Sequence, residues 1–132
     1  ASNSLLEAVV FADSAANHLI ENPPEAINHK LPDWRADGLE VLTEHAPIVN
    51  DLGLLKETMS TEVGIVRNNQ RLNRASRRIK LLDKEINMIW KSSIATRQIV
   101  ELRNLIQVAN LVIEDAIAQT ENRGLHYNTD LE

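Results

Sequence analysis

Cysteine is absent from the 132-residue sequence, and the aromatic residues are limited to one Phe, one Tyr and two Trp. The missing cysteine excludes disulfides, thiolate metal sites and a cysteine nucleophile. No apolar run approaches the roughly 20 residues of a membrane-spanning helix. Hydrophobic residues nevertheless make up 43% of the chain. The core must therefore be aliphatic, which favours packed helices over a β-sandwich.

The charge balance also excludes whole classes of partner. Fourteen Lys and Arg stand against nineteen Asp and Glu, so the net charge is -5. No global positive field exists to attract nucleic acid or an anionic membrane, and we expect neither as a partner. The length fits one compact domain, or a domain with an appendage, and excludes a large multidomain enzyme within this chain.

The first third of the chain contains one helix and then an irregular stretch. Apolar residues recur at helical spacing over 4–20, and Ser4 with Glu7 resembles a capping box. All four prolines of the chain follow between residues 21 and 50. We therefore assign 1–22 to a detached helix and 23–50 to a linker.

Residues 51–130 carry the periodicity of three further helices. Asp51 is the candidate N-cap of the first, and Gly64 the break after it. Gly124 fits the left-handed position after the last helix. Two long apolar seams repeat in steps of three and four: Leu72, Ala75, Ile79, Leu82, Ile86 and Ile89, then Ile99, Leu102, Ile106, Ala109, Ile113 and Ala116. The pattern predicts an all-α fold, an up-down, spectrin-repeat-like three-helix bundle, with a second stripe on the last helix that needs a partner.

A basic stretch opens the second bundle helix. Its members are Arg67, Arg71, Arg74, Arg77, Arg78 and Lys80. The stretch could bind phosphates or RNA, or it could be a solvated face that pairs with Glu101, Glu114 and Asp115. The acidic chain and the lack of interleaved aromatics favour the second interpretation.

Other chemistry has little support in the sequence. No histidine stands at i, i+4 spacing with a metal-ligating partner, so we predict no metal site and expect surface histidines: His18, His29, His45 and His126. Nucleotide-binding glycine loops and a G-x-S-x-G elbow are absent. Trp34 and Trp90 are most simply interior or docking residues. No residue is predicted to be catalytic.

Four separated strings carry a family resemblance. They are ASNSLLE at 1–7, VGIVR at 63–67, ELRNL at 101–105 and NRGLH at 122–126. In this order and spacing the chain resembles the C-terminal part of the L-aspartate oxidases, within the fumarate reductase and succinate dehydrogenase flavoprotein group. The resemblance covers residues 1–130.

The resemblance implies a function for a longer protein. That protein would be an FAD-dependent enzyme that takes a hydride from L-aspartate to give iminoaspartate. Quinolinate synthase would condense this product onward in NAD biosynthesis in the cytoplasm. The implied partners of this chain are the upstream FAD-binding and capping domains.

The resemblance also assigns individual residues. Ser4 and Leu5 match the string that contacts FAD, which makes 1–22 the last helix of the FAD-binding domain. Arg123 and His126 would close the bundle against the rest of the protein. The catalytic groups would lie upstream, so the chain alone should be inactive and should not hold FAD.

Several alternatives stay open at this stage. The chain could instead be the corresponding domain of a succinate dehydrogenase or fumarate reductase flavoprotein. It could also be a non-enzymatic helical interaction module that uses the basic stretch. Residues 131–132 could be native or a cloning junction. We expect the apolar helix at 4–20 to dock on the bundle or, through self-association of the isolated chain, on a second copy.

Overall fold

The computed structural model describes residues 3–25, 30 and 32–131, and within them the regular structure is helical. The four helices are α1 (Ser4–Glu21), α2 (Ala46–Glu62), α3 (Asn69–Ser92) and α4 (Arg97–Ala118). The all-α prediction is confirmed. The chain divides into two compact units, Ala1–Arg35 and Ala36–Glu132, which are treated separately. Over the described residues, no helix is both long and apolar enough to cross a membrane.

The first unit contains α1, and its start differs from the expected capping box. Asn3, not Ser4, occupies the N-cap, and no side chain caps the helix. The backbone N–H of Glu7 donates to the Asn3 carbonyl at 2.7 Å, so Ser4 is already helical. No α1 residue is buried in this chain. Its large apolar side chains are all exposed: Leu5, Leu6, Val9, Val10, Phe11, Leu19 and Ile20.

The second unit is a three-helix bundle in which α2, α3 and α4 pack pairwise. Its core consists of aliphatic side chains, as the aromatic-poor composition predicts. Both predicted seams are confirmed, with Ile89 at the margin of the core. The buried apolar residues are Ile48, Leu55, Val63, Leu72, Ala75, Ile79, Leu82, Ile86, Ile99, Leu102, Ile106, Ala109, Ile113 and Ala116.

The start of α2 differs from the sequence prediction. The helix begins at Ala46, with Pro47 in its first turn, so Asp51 lies inside the helix and is not its N-cap. Proline suits a first turn because its fixed φ is helical and the N–H it lacks would be unpaired there. Ile48 is 3% exposed and joins the core. The last residues of the predicted 23–50 linker are therefore helical.

Side chains cap both long bundle helices at their N-termini. Asn68 Oδ1 accepts from the N–H of Arg71 at 2.8 Å, and Thr96 Oγ1 accepts from that of Ile99 at 3.3 Å. At its other end α4 stops at Ala118, and the prediction that Gly124 follows it directly is wrong. Gly124 does have a positive φ of 61°, but within a later tight turn.

Part of the predicted linker is ordered along the loop between α3 and α4. The Glu40 N–H donates to the Ser92 carbonyl at 3.0 Å, and the Ile94 N–H donates to the Glu40 carbonyl at 2.8 Å. Leu42 then packs against the core. These contacts attach the segment before α2 to one end of the bundle.

Candidate functional site

The predicted cofactor residues lie at the N-terminus of α1. Ser4 is exposed and Leu5 is 83% exposed. The first turn of a helix offers unpaired N–H groups and a partial positive charge, which suit an anionic group. One helix end cannot enclose an isoalloxazine ring, however, so the described residues fit only an edge of a flavin site. Ala1 and Ser2 of the ASNSLLE string lie outside the described residues.

The second candidate is a cluster of charges around Glu62. This glutamate ends α2 and is 4% exposed. Arg74 Nη2 donates to its Oε2 at 2.7 Å, while Arg71 Nε and Arg78 Nη1 lie 3.6 Å from its carboxylate oxygens. The hydrogen bond from Arg74, aided by all three positive charges, lowers the pKa of Glu62 although burial opposes this.

The acid that pairs with the basic stretch is Glu62, and not one of the acids expected from the sequence. Periodicity places Glu62 on a helix but does not mark it as buried. Glu101 instead pairs with Arg97, one turn away on its own helix, at 2.8 Å. Asp115 accepts from Gln119 at 3.4 Å. Sequence spacing cannot show which helix lies opposite a charge, and this accounts for the error.

Two of the recognised strings meet in space. Arg67 of VGIVR points Nη1 at Nδ1 of His126 in NRGLH, at 3.1 Å. Arg67 Nε donates to the carbonyls of Val63 and Gly64 at 3.2 and 3.1 Å, and its N–H donates to the Tyr127 carbonyl at 2.9 Å. A guanidinium only donates, so His126 Nδ1 accepts and Nε2 carries the proton. That buried Nε2 has no partner among the described residues.

Gly64 is required by the same junction. A Cβ at this position would lie 2.7 Å from the backbone oxygen of Ser60. The chain can therefore leave α2 close to its last turn only if residue 64 has no side chain. The string VGIVR thus combines a close backbone approach at Gly64 with an anchoring side chain at Arg67.

Asn128, which the sequence analysis missed, completes the junction. It is 1% exposed, and its Nδ2 donates to Asn69 Oδ1 at 2.9 Å. Its Oδ1 accepts from the Asp130 N–H at 3.0 Å, and Asp130 Oδ2 accepts from the Asn69 N–H at 2.8 Å. The C-terminal segment therefore caps α3. Near a chain end an asparagine gives no periodic signal, so no pattern indicated this role.

The second apolar stripe of α4 is exposed in this chain. Leu105, Val108 and Val112 are 45%, 56% and 39% exposed. Together with Leu55 and Met59 they line a groove of about 230 Å³ between α2 and α4. The prediction that this stripe needs a partner stays open.

The remaining sequence candidates show no catalytic arrangement. The described residues contain no group of His, Asp and Glu suited to a metal ion, and His29 lies outside them. Trp90 is half-buried against the core and Arg103 lies 4.9 Å from its ring centroid, a cation–π contact. Trp34 is 69% exposed.

Comparison with known proteins identifies the class. The family described as fumarate reductase flavoprotein C-term matches residues 53–132, which form most of the helical bundle. The chain therefore belongs to this flavoprotein C-terminal family.

Its curated relatives include several L-aspartate oxidases. The chain is 41% identical to that of Pseudomonas aeruginosa over 98% of its own length and 24% of the relative's. It is 40% identical to those of Yersinia pestis and Vibrio cholerae, again over 98% of its length and over 25% and 24% of theirs. The chain thus spans about a quarter of the length of these relatives.

Proposed function

We propose that this chain is the C-terminal part of an FAD-dependent L-aspartate oxidase that converts L-aspartate to iminoaspartate. The observation that carries the proposal is 41% identity to such an oxidase over 98% of the chain. The all-α bundle and the match to a flavoprotein C-terminal family support it. In the whole enzyme, FAD would accept the hydride, and residues outside this chain would bind the substrate.

In this proposal, Ser4 and Leu5 place the N-terminus of α1 against the flavin. The helix end supports this role because it begins at Ser4 without a side-chain cap. Its first-turn N–H groups can therefore donate to an anionic group without displacing a capping side chain. The described residues at this helix end form no enclosed site, so we expect the isolated chain neither to hold FAD nor to turn over substrate.

The bundle would have a supporting role. The Arg67–His126 contact and the Asn128 hydrogen bonds close its end, and no catalytic role is proposed for Arg123 or His126. The partners would be the FAD-binding and capping domains of the longer protein, with α1 as the last helix of the first. We place the enzyme in cytoplasmic NAD biosynthesis, where quinolinate synthase would use its product.

The test is to express the longer protein that contains this chain. We expect a flavin absorption spectrum that bleaches on anaerobic addition of L-aspartate, with iminoaspartate as the product. Succinate is the matched control substrate, because oxidation of succinate alone would favour a succinate dehydrogenase or fumarate reductase flavoprotein. Absence of bound flavin would contradict both enzymes and favour a non-enzymatic helical module.

The flavin contact has a separate test in the same protein. Ser4→Ala with Leu5→Gly should weaken FAD binding about tenfold and slow anaerobic reduction, because the Ser4 hydroxyl donor is lost and glycine loosens the first turn that presents the backbone N–H groups. Ser14→Ala with Leu19→Gly makes the same chemical changes further along α1 and should leave both properties near their original values. Equal effects of the two pairs would show that only helix stability is involved.

A further inference from the structure

One side of α3 carries more positive charge than the fold uses. At 100° per residue, Arg71, Arg74 and Arg78 fall within about 60° of one another, and Arg77 lies about 60° beyond Arg74. We call these four residues the arginine face. Glu62 is the carboxylate that pairs with three of them, Arg71, Arg74 and Arg78. Four guanidiniums against one carboxylate leave three positive charges in excess on this surface.

Glu62 holds the guanidiniums in place without enclosing them. The side chains of Arg71, Arg74 and Arg78 remain 34%, 49% and 46% exposed. Arg71 Nη1 also donates to the Val66 carbonyl at 3.0 Å. A guanidinium has five N–H donors, so each keeps donors directed at solvent. Such a fixed set of forks matches carboxylates and loses little side-chain entropy on binding them.

One member of the arginine face, Arg71 in the first turn of α3, also opposes the dipole of its own helix. No acidic residue stands in the first turn of α3, and all four arginines lie within its first ten residues. Cations near a helix N-terminus are unfavourable. The Asp130 carboxylate on the Asn69 N–H is the compensating anion at that end. A local rule broken without full compensation is typical of a functional surface.

We propose that the arginine face is a docking surface for an acidic polypeptide segment. The length of the face decides the size of the occupant. From Arg71 to Arg78 the helix rises about 11 Å, the span of about three extended residues. A short run of Asp and Glu fits this span.

Two observations favour such a segment over nucleic acid. Residues 67–80 contain no aromatic side chain on which a base could stack. The chain as a whole carries a net charge of -5, which repels a long polyanion beyond the local patch. The proposal goes beyond the oxidase function and stands or falls separately from it.

The test uses this 132-residue chain and a fluorescent oligoglutamate peptide. Arg77→Glu with Arg78→Gln lowers the net charge by three units and leaves Arg71 and Arg74 paired with Glu62. We expect peptide affinity to fall about tenfold at about 50 mM salt and the wild-type affinity to fall steeply with added salt. Circular dichroism checks the fold, and Arg77→Glu alone, which touches no ion pair with Glu62, should give a smaller loss.

The matched control is Lys91→Glu with Lys84→Gln, which changes the net charge equally on the same helix. Lys84 and Lys91 lie about 9 Å and 20 Å along α3 beyond Arg78, so this pair should weaken binding by less than about twofold. Equal weakening by the two pairs would overturn the proposal, as would a wild-type chain that does not bind the peptide. The proposal would also be overturned, in favour of nucleic acid, if a single-stranded RNA bound more tightly than the peptide and the Arg77→Glu, Arg78→Gln variant no longer bound that RNA.

Discussion

Helix α1 and the bundle helix α4 have similarly clear apolar periodicity, yet they differ in what that periodicity buries. In the bundle, the seam residues of α3 and α4 are almost inaccessible, with Leu72, Ile79 and Ile106 at 0% exposure. In α1, Leu5 and Phe11 are 83% and 70% exposed. Periodicity thus specifies a helix and an apolar face, but burial also requires a partner for that face.

The difference teaches where the stability of this chain resides. Aliphatic burial in the bundle supplies the main favourable term of folding. Helix α1 has 18 residues and an exposed apolar face, so only its helix propensity stabilises it. Propensity alone makes a helix of this length marginally stable in water.

The sharpest test of this comparison is one substitution made in each region. Leu102→Ala, at a position 1% exposed, should lower the free energy of unfolding by about 3 kcal/mol through lost burial and a residual cavity. Leu5→Ala, in α1, should change it by less than about 0.5 kcal/mol. Urea unfolding followed by circular dichroism measures both. Similar losses at the two sites would mean that α1 is buried in solution.

The next largest change in the free energy of unfolding is expected from removing the charge of the buried Glu62 carboxylate. Glu62→Gln should cost about 2 kcal/mol at neutral pH, because a charge-assisted hydrogen bond and two nearby ion pairs are weakened. Glu7→Gln, an exposed acid of α1, should cost less than about 0.5 kcal/mol.

The pH dependence of stability separates this effect from simple packing. The pKa of Glu62 is lowered by folding, so its ionised form contributes stability that is fully present above the ordinary value of 4.5. That contribution is lost as pH falls through the lower folded-state pKa. The gap between wild type and Glu62→Gln should therefore close in acid. A constant gap down to acid unfolding would contradict the charge explanation.

A smaller change in stability is expected when alanine replaces the glycine within α2 or the glycine just after its C-terminus. Gly64→Ala should destabilise the bundle by about 1.5 kcal/mol, because the added Cβ would clash with the Ser60 carbonyl. Gly53→Ala meets nothing within 4 Å and should stabilise by about 0.5–1 kcal/mol through helix propensity. Thermal unfolding of both variants is the measurement. If both variants were more stable than the wild type, the backbone after α2 could adopt a conformation that accommodates a side chain at residue 64.

The smallest predicted effect concerns the corrected start of α2. Burial, and then the charge of Glu85, raise the pKa of Asp51, so its ionised form is disfavoured in the folded state. Asp51→Ala should therefore stabilise the bundle at neutral pH by less than about 1 kcal/mol. The gain should shrink as pH falls through the raised folded-state pKa and should be absent below the ordinary value of 3.8. Asp13→Ala in α1 should leave bundle unfolding unchanged. A loss of about 1 kcal/mol would instead indicate an N-cap.

Much of the bundle could be predicted because its signal is local and repeated. The seams of α3 and α4 recur over several turns, so single exceptions do not obscure them. The start of α2 was misplaced because Pro47, among four linker prolines, was read as a break although it suits a first helical turn. Thr58, with 0% exposure, was missed because its hydroxyl masks an apolar position.

The candidate sites were less accessible to sequence reasoning. The contact of Arg67 with His126 joins residues separated by 59 positions, and that of Asn69 with Asn128 spans the same separation. Each string can be recognised on its own, but no spacing rule states that the two strings touch. The partner of the basic stretch was likewise misassigned, since it depends on which helix end lies opposite.

By itself, the sequence determined the helical class, the apolar faces of the long bundle helices and the family to which the chain belongs. These properties follow from the 3.6-residue period and from short strings, which act over a few neighbouring residues. Only the tertiary structure decided that Glu62 is buried among arginines, that Asn128 caps the bundle and that the apolar face of α1 is exposed. Burial and charge pairing depend on what lies opposite a side chain, and the packing of distant segments sets that.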